Sequence, residues 1–136
     1  MWGSTEKIAG AIYKGFARKN VGVKLLNLKH NHISDVMTHV LEAKYICVGS
    51  PTLNNGLLPS VAAFLTYLKG LAPRHRKAMA FGSYGWGGQS VGEVADILEK
   101  VGCELLVEPI KVNYIPKHED LENITRRVAT EIDNSV

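Results

Sequence analysis

Short, continuously apolar runs alternate along this chain with longer segments in which apolar residues recur every three to four positions. The short runs predict four strands, at residues 23–28, 45–49, 78–82 and 104–112, the last interrupted near Pro109. The longer segments predict helices at residues 5–19, 34–41, 59–69 and 88–101 and along the C-terminal segment. We expect Ser34 to cap the second helix, and Leu41 and Ala62 to face the core.

Strands that are apolar throughout, and that alternate with helices, indicate a parallel sheet covered on both faces. We therefore predict an α/β fold, a doubly wound parallel sheet that forms a single domain over residues 1–136. Ligands of such sheets bind at the carboxyl ends of the strands. The loops at those ends are where functional residues are expected.

Three segments at this edge combine glycine with hydroxyl or amide side chains: Met1–Glu6, Gly49–Gly56 and Gly82–Gln89. The first is expected to be a loop before a helix, where unpaired backbone N–H groups and the helix dipole favour an anion. The other two contain no charged residue, and their amides and aromatic rings suit the edge and face of a planar ring. Taken singly, each segment is also typical of an ordinary helix cap, a turn or a surface aromatic.

Together the three segments resemble those of the flavodoxin-like domain of A-type flavoproteins, also called flavodiiron proteins. The motifs are Met1-Trp2-Gly3-Ser4-Thr5-Glu6-Lys7, Gly49-Ser50-Pro51-Thr52-Leu53-Asn54-Asn55-Gly56 and Tyr84-Gly85-Trp86-Gly87-Gly88. The resemblance covers essentially the whole chain and implies a flavodoxin-like fold with an FMN site, the phosphate on the first motif and the ring between the other two. The implied FMN-binding residues are Met1, Trp2, Gly3, Ser4, Thr5, Ser50, Pro51, Thr52, Leu53, Asn54, Asn55, Gly56, Ser83, Tyr84, Gly85, Trp86, Gly87, Gly88 and Gln89.

The resemblance further implies an electron-transfer domain whose redox partner is a rubredoxin-like carrier or a di-iron metallo-β-lactamase-like domain. That di-iron domain carries an H-x-E-x-D motif, which this sequence lacks. The closest histidine pair, His30 and His32, lies between a predicted strand and helix and is interpreted as a turn, so no metal site is predicted. Cys47 and Cys103 have neither a C-x-x-C nor a metal-binding spacing and are expected in the core.

Composition excludes several other classes. The chain is 46% hydrophobic and 21% charged, as in an ordinary globular domain, and it has no apolar run long enough for a membrane span and no leader pattern. We therefore expect a cytoplasmic protein with no membrane partner. The net charge of +3 is spread without a basic stripe, which argues against nucleic acid and favours acidic partners. A homo-oligomer is left open.

Two other functions also remain open. An FMN-dependent NAD(P)H:quinone reductase shares the architecture, although such proteins typically show Thr-x-Phe-Gly where this chain has Thr52-Leu53-Asn54-Asn55. A flavin-free interaction module is the other alternative. The flavodoxin-like strand order 2-1-3-4-5 puts the central strand just before the phosphate loop, between residues 23–28 and 45–49. No such strand precedes Met1 in the sequence, so we expect an N-terminally truncated part of a longer protein.

Overall fold

The computed structural model describes residues 2–50, 59–71, 76–84, 89–113 and 116–135, and the structural statements below concern these residues. Five helices are present: α1 (Trp2–Arg18), α2 (Ile33–Glu42), α3 (Pro59–Leu71), α4 (Gln89–Lys100) and α5 (His118–Ser135). Four strands accompany them: β1 (Tyr45–Gly49), β2 (Lys77–Tyr84), β3 (Glu104–Leu105) and β4 (Ile110–Asn113). Of the helices so described, none combines the length and the apolar character that a membrane crossing requires.

The sheet is parallel throughout, as predicted. β2 pairs with β1 on one side and with both β3 and β4 on the other. β3 lies beside the start of β2 and β4 beside its end, so the two form one edge strand broken in the middle. The break contains Pro109, which has no N–H group to donate to a ladder, and the predicted interruption is confirmed.

Hydrophobic clusters cover both faces of the sheet, which confirms the predicted doubly wound α/β class. Along β2, Ala78 and Ala80 belong to a first cluster, while Met79 and Phe81 belong to a second. This alternation follows from the two-residue period of a strand. The first cluster is built mainly from α2, α3 and α4, with Val40, Phe64, Leu65, Leu68, Val91 and Leu98 among its members. The second is built mainly from α1 and α5, with Ile8, Ile12, Phe16, Ile124, Val128 and Ile132.

α1 and α5 pack side by side and run in the same direction. The buried Thr125 hydroxyl donates to the Ala11 carbonyl oxygen at 2.8 Å. One turn further along both helices, a Cβ placed on Gly15 would lie 2.8 Å from Cβ of Val128. The glycine therefore lets the two helix backbones approach closely.

Residues 23–28 form no strand, so this part of the prediction was wrong. Within the described part of the chain, no backbone hydrogen bond joins residues 22–26 to another element, and β1 pairs with β2 alone. Val23 nevertheless packs against the second cluster, whereas Leu26 and Leu28 pack against the first. The segment thus contributes side chains to both faces, but it lacks the neighbouring backbone that a ladder needs.

The helix caps and faces also differ from prediction at three positions. The N-cap of α2 is His32, whose Nδ1 accepts the N–H of Ser34 at 3.1 Å, so Ser34 is not the cap. Leu41 is 55% exposed and Ala62 is also exposed, which corrects both core assignments. Each follows a buried valine by one residue, and one residue turns the helix by about 100° away from the apolar stripe.

Candidate functional site

The first predicted loop is the beginning of a helix. α1 starts at Trp2, so Ser4 and Thr5 lie in its first turn, which corrects the expected start at residue 5. Ser4 is buried and Thr5 is half-buried. The N–H groups of a first helical turn have no partner within the helix, so the anion preference predicted for this segment applies to its helical form as well.

The ends of β1 and β2 bring the second and third predicted segments to the same edge of the sheet. Gly49 is paired with Phe81, and the N–H of Ser50 donates to the Phe81 carbonyl oxygen at 3.1 Å. Ser83 and Tyr84 are the last residues of β2. Ser50 and Ser83 are both fully buried, so two residues with hydroxyl groups lie in the interior at this edge of the sheet.

A side-chain hydrogen bond joins the first segment to the third. Oγ1 of Thr5 and Oγ of Ser83 lie 2.9 Å apart, although the residues are 78 positions apart in sequence. This contact fixes the first turn of α1 against the carboxyl end of β2. The structure therefore brings together residues of all three predicted segments, since Ser50, directly after β1, is hydrogen-bonded to Phe81 of β2.

Ser90 also lies at this edge of the sheet, and the sequence analysis did not select it. It is fully buried in the first turn of α4, and its Oγ donates to the Ser50 carbonyl oxygen at 3.2 Å. The contact ties the residue that follows β1 to the helix that follows the third segment. Serine is common at the start of a helix, and its position two residues after the glycines of the third segment was the available signal.

Two glycines allow the strand ends to pack this closely. A Cβ on Gly82 would lie 2.1 Å from the Ser50 carbonyl oxygen and 2.9 Å from Cγ2 of Val91. A Cβ on Gly49 would lie 2.1 Å from the ring of Phe81. No side chain fits at either position without movement of its neighbours.

Several predicted site residues lie outside the described residues or have undescribed side chains. Outside are Met1, Pro51, Thr52, Leu53, Asn54, Asn55, Gly56, Gly85, Trp86, Gly87 and Gly88. For Trp2, Gly3 and Gln89 only the helical backbone is described. Their assignment to a binding site stays a prediction.

The chemistry of the described site residues fits a phosphate ester joined to an uncharged ring. Ser4, Thr5, Ser50, Ser83 and Tyr84 supply hydroxyl and backbone groups and no carboxylate. Hydroxyl and N–H donors at a helix N-terminus suit phosphate oxygens. Because Gly82 has no Cβ, its backbone lies close to the Ser50 carbonyl, which keeps the ends of the second and third segments together.

The two cysteines are thiols at neutral pH. Cys47 belongs to β1 and packs against the second cluster, and burial raises its pKa to about 12. Burial also raises the pKa of Cys103, with Arg76 acting in the opposite direction. Neither cysteine forms a disulfide, and their environment matches the core role predicted for them.

Metal ligands are not gathered anywhere in the described part of the chain. No group of three or more His, Cys, Asp or Glu side chains is arranged there to hold an ion. His32 is used as a helix cap, and the N–H groups of His30 and Asn31 donate to the Asn27 carbonyl oxygen. These contacts account for the histidine pair as part of a turn.

Comparison with known proteins gives relatives over nearly the whole chain. A family model described as Flavodoxin matches residues 1–127. The chain is 41% identical over 130 residues to rubredoxin-oxygen oxidoreductase of Megalodesulfovibrio gigas, covering 96% of this chain and 32% of that protein. It is 39% identical over 136 residues to a nitric oxide reductase of Moorella thermoacetica, covering 97% of this chain and 34% of that protein.

A solved structure agrees with these relatives. The fold matches rubredoxin oxygen:oxidoreductase from Desulfovibrio gigas with a TM-score of 0.93 at 40% identity, covering 98% of this chain and 33% of that chain. The chain thus spans about a third of the length of the curated relatives it matches.

Proposed function

The chain belongs to the flavodoxin family, and on that premise we propose that it relays electrons through FMN between a donor and a redox partner. Flavodoxin domains bind FMN. Its relatives are flavodiiron proteins, as the sequence motifs predicted. The observation that carries the proposal for this chain is the contact between Thr5 and Ser83, because it joins the predicted phosphate segment to a predicted ring segment.

FMN, when bound, supplies a ring that takes up and releases electrons, and the protein's part is binding and orientation. In our proposal the first turn of α1 binds the phosphate through its N–H groups and the hydroxyls of Ser4 and Thr5. The ends of β1 and β2, with the two loops that follow them, border the ring. The buried Ser90 hydroxyl stabilises this edge by donating a hydrogen bond to the Ser50 carbonyl oxygen.

The test of this proposal is the colour and the cofactor content of the protein purified after expression of its whole open reading frame. We expect a flavin absorption band, and release of FMN rather than riboflavin on denaturation. Protein that takes up no flavin when FMN is added would instead support the flavin-free interaction module. Steady-state turnover of NAD(P)H with a quinone would favour the reductase alternative, since a relay between two redox proteins needs neither substrate.

The partner in this proposal is a rubredoxin-like carrier, in line with the name of one relative, or a di-iron domain. The net charge of +3 favours an acidic carrier. We expect the rate of electron exchange with an acidic rubredoxin, followed by stopped-flow absorbance, to fall about tenfold between roughly 50 and 300 mM salt. The rate with an uncharged dye should hardly change. A rubredoxin rate that ignores salt would contradict electrostatic docking.

We also propose that a further strand completes the sheet between β1 and residues 23–28. Two observations support this: the side of β1 away from β2 has no strand beside it among the described residues, and residues 22–26 have no ladder partner there. Its residues should be apolar on both faces, because the two clusters lie on either side. Sequencing the coding region upstream of Met1 tests this, and we expect an in-frame apolar run of about five residues.

The absence of charge in the second and third segments predicts how the potential of bound FMN responds to an added anion. We expect Asn55→Asp to lower the two-electron reduction potential by a few tens of millivolts, because a carboxylate near the ring opposes gain of negative charge (about 30 mV corresponds to about 1.4 kcal/mol). Asn134→Asp makes the same charge change at the exposed far end of α5 and serves as the control. Equal shifts in both variants, measured by potentiometric titration, would contradict a local effect.

A further inference from the structure

The hydrogen bond between Thr5 and Ser83 has a direction that depends on what else Thr5 binds. The two oxygens are 2.9 Å apart and either hydroxyl can donate. Each hydroxyl has one proton, so Thr5 cannot donate to Ser83 and to another acceptor at the same time. Thr5 is half-buried, whereas Ser83 is fully buried. Of the two, Thr5 is therefore the hydroxyl that a ligand can reach.

We propose that Ser83 is a positioning residue that orients the Thr5 hydroxyl toward the phosphate of FMN. This inference rests on the proposed function, in which the phosphate binds at the first turn of α1. The unprotonated oxygens of a phosphate ester are hydrogen-bond acceptors. Thr5 therefore donates its proton to the phosphate, and its oxygen accepts the proton of Ser83.

The surroundings of Ser83 suit this role. Its backbone lies in the parallel ladder opposite Val112, and the preceding residue, Gly82, is packed against the Ser50 carbonyl. A hydroxyl mounted on such a rigid strand end holds its partner in one orientation. Consecutive hydrogen bonds also polarise one another, so the bond from Ser83 strengthens the bond from Thr5 to the phosphate.

The experiment compares two flavins that share the ring and differ in the phosphate. Dissociation constants of FMN and riboflavin are measured by flavin fluorescence on the flavin-free protein, expressed from its whole open reading frame. We expect Ser83→Ala to weaken FMN binding about tenfold while riboflavin binding changes by less than about twofold. If Ser83→Ala does not fold, Ser83→Cys keeps most of the volume with a weak donor, and the same selective loss is expected.

A double-mutant cycle tests whether Ser83 acts through Thr5. Thr5→Val removes the hydroxyl and keeps the shape of the side chain. In the Thr5→Val background, we expect Ser83→Ala to cause no further loss of FMN affinity, because the hydroxyl that Ser83 orients is gone. Independent, additive losses would overturn the inference.

The matched control is Thr125→Val, which also removes a buried hydroxyl bonded to α1, at the Ala11 carbonyl and away from the first turn. Its ratio of FMN to riboflavin affinity should equal that of the wild-type protein. An equal loss of both flavins in Ser83→Ala would assign Ser83 a packing role only, and no loss would also overturn the inference. Failure of the wild-type protein to bind FMN would instead reject the proposed function. This outcome is measured on the wild-type protein alone, so it is distinct from every outcome for the variants.

Discussion

Replacement of Gly82 by alanine is expected to lower the free energy of unfolding by about 3 kcal/mol or more, at the upper end of what overpacking costs. The added Cβ would lie 2.1 Å from the carbonyl oxygen of Ser50 and 2.9 Å from Cγ2 of Val91. The oxygen belongs to backbone that is held by the Ser90 hydroxyl and by the ladder. Relief therefore requires β1 and β2 to separate at the proposed FMN site.

Urea unfolding followed by circular dichroism measures this effect, with Gly92→Ala as the control. Gly92 lies inside α4, and no atom lies within 4 Å of the place where its Cβ would be. Alanine there should stabilise the protein by up to about 1 kcal/mol, because glycine is a poor helix former. The two substitutions are chemically identical and should have opposite signs. A Gly82→Ala protein as stable as the wild type would contradict the close packing described for the strand ends.

The second large effect is expected at Gly49, where β1 ends. A Cβ there would lie 2.1 to 2.7 Å from three atoms of the Phe81 ring. Phe81 is buried in the second cluster, so the ring has little room to move aside. We expect Gly49→Ala to lower the free energy of unfolding by about 2–3 kcal/mol, measured in the same way.

Because the obstacle at Gly49 is a side chain, a second substitution should relieve it. Phe81→Val removes the three ring atoms and by itself costs about 2–3 kcal/mol in lost burial. In the double variant we expect the combined loss to be smaller than the sum of the single losses by at least about 1 kcal/mol. Simple additivity would show that the ring is not what excludes a side chain from this position.

Elements whose burial is decided by their own side chains were predictable from sequence. β1 and β2 are continuous apolar runs because each strand has a hydrophobic cluster on both faces. Gly102 has a positive φ in the turn after α4. The sequence predicted this helix end, because a glycine directly after the last apolar residue of a helical pattern is typical of a helix C-terminus. Pro109 likewise predicted the break between β3 and β4.

The features that could not be predicted from sequence are contacts between residues that lie far apart along the chain. Residues 23–28 have strand composition but form no ladder, because hydrogen bonding requires a neighbour that the sequence of the segment does not specify. The contact between Thr5 and Ser83 joins residues 78 positions apart, and the role of Ser90 depends on where the Ser50 carbonyl lies. Motif resemblance could group these segments at one edge, but only the fold shows which hydroxyl meets which.

The packing of α1 on α5 also determines how long α1 stays without its partner helix while the chain is being synthesised. The bond from Thr125 to Ala11 joins residues 114 positions apart, and a ribosome adding about 5–20 residues per second needs roughly 6–23 s to make that length of chain. During that interval the apolar face of α1, with Ile12 and Phe16, has no α5 to cover it. The apolar face of α1 therefore stays uncovered by α5 until the C-terminal helix has been made, and during that time it is open to binding by a chaperone.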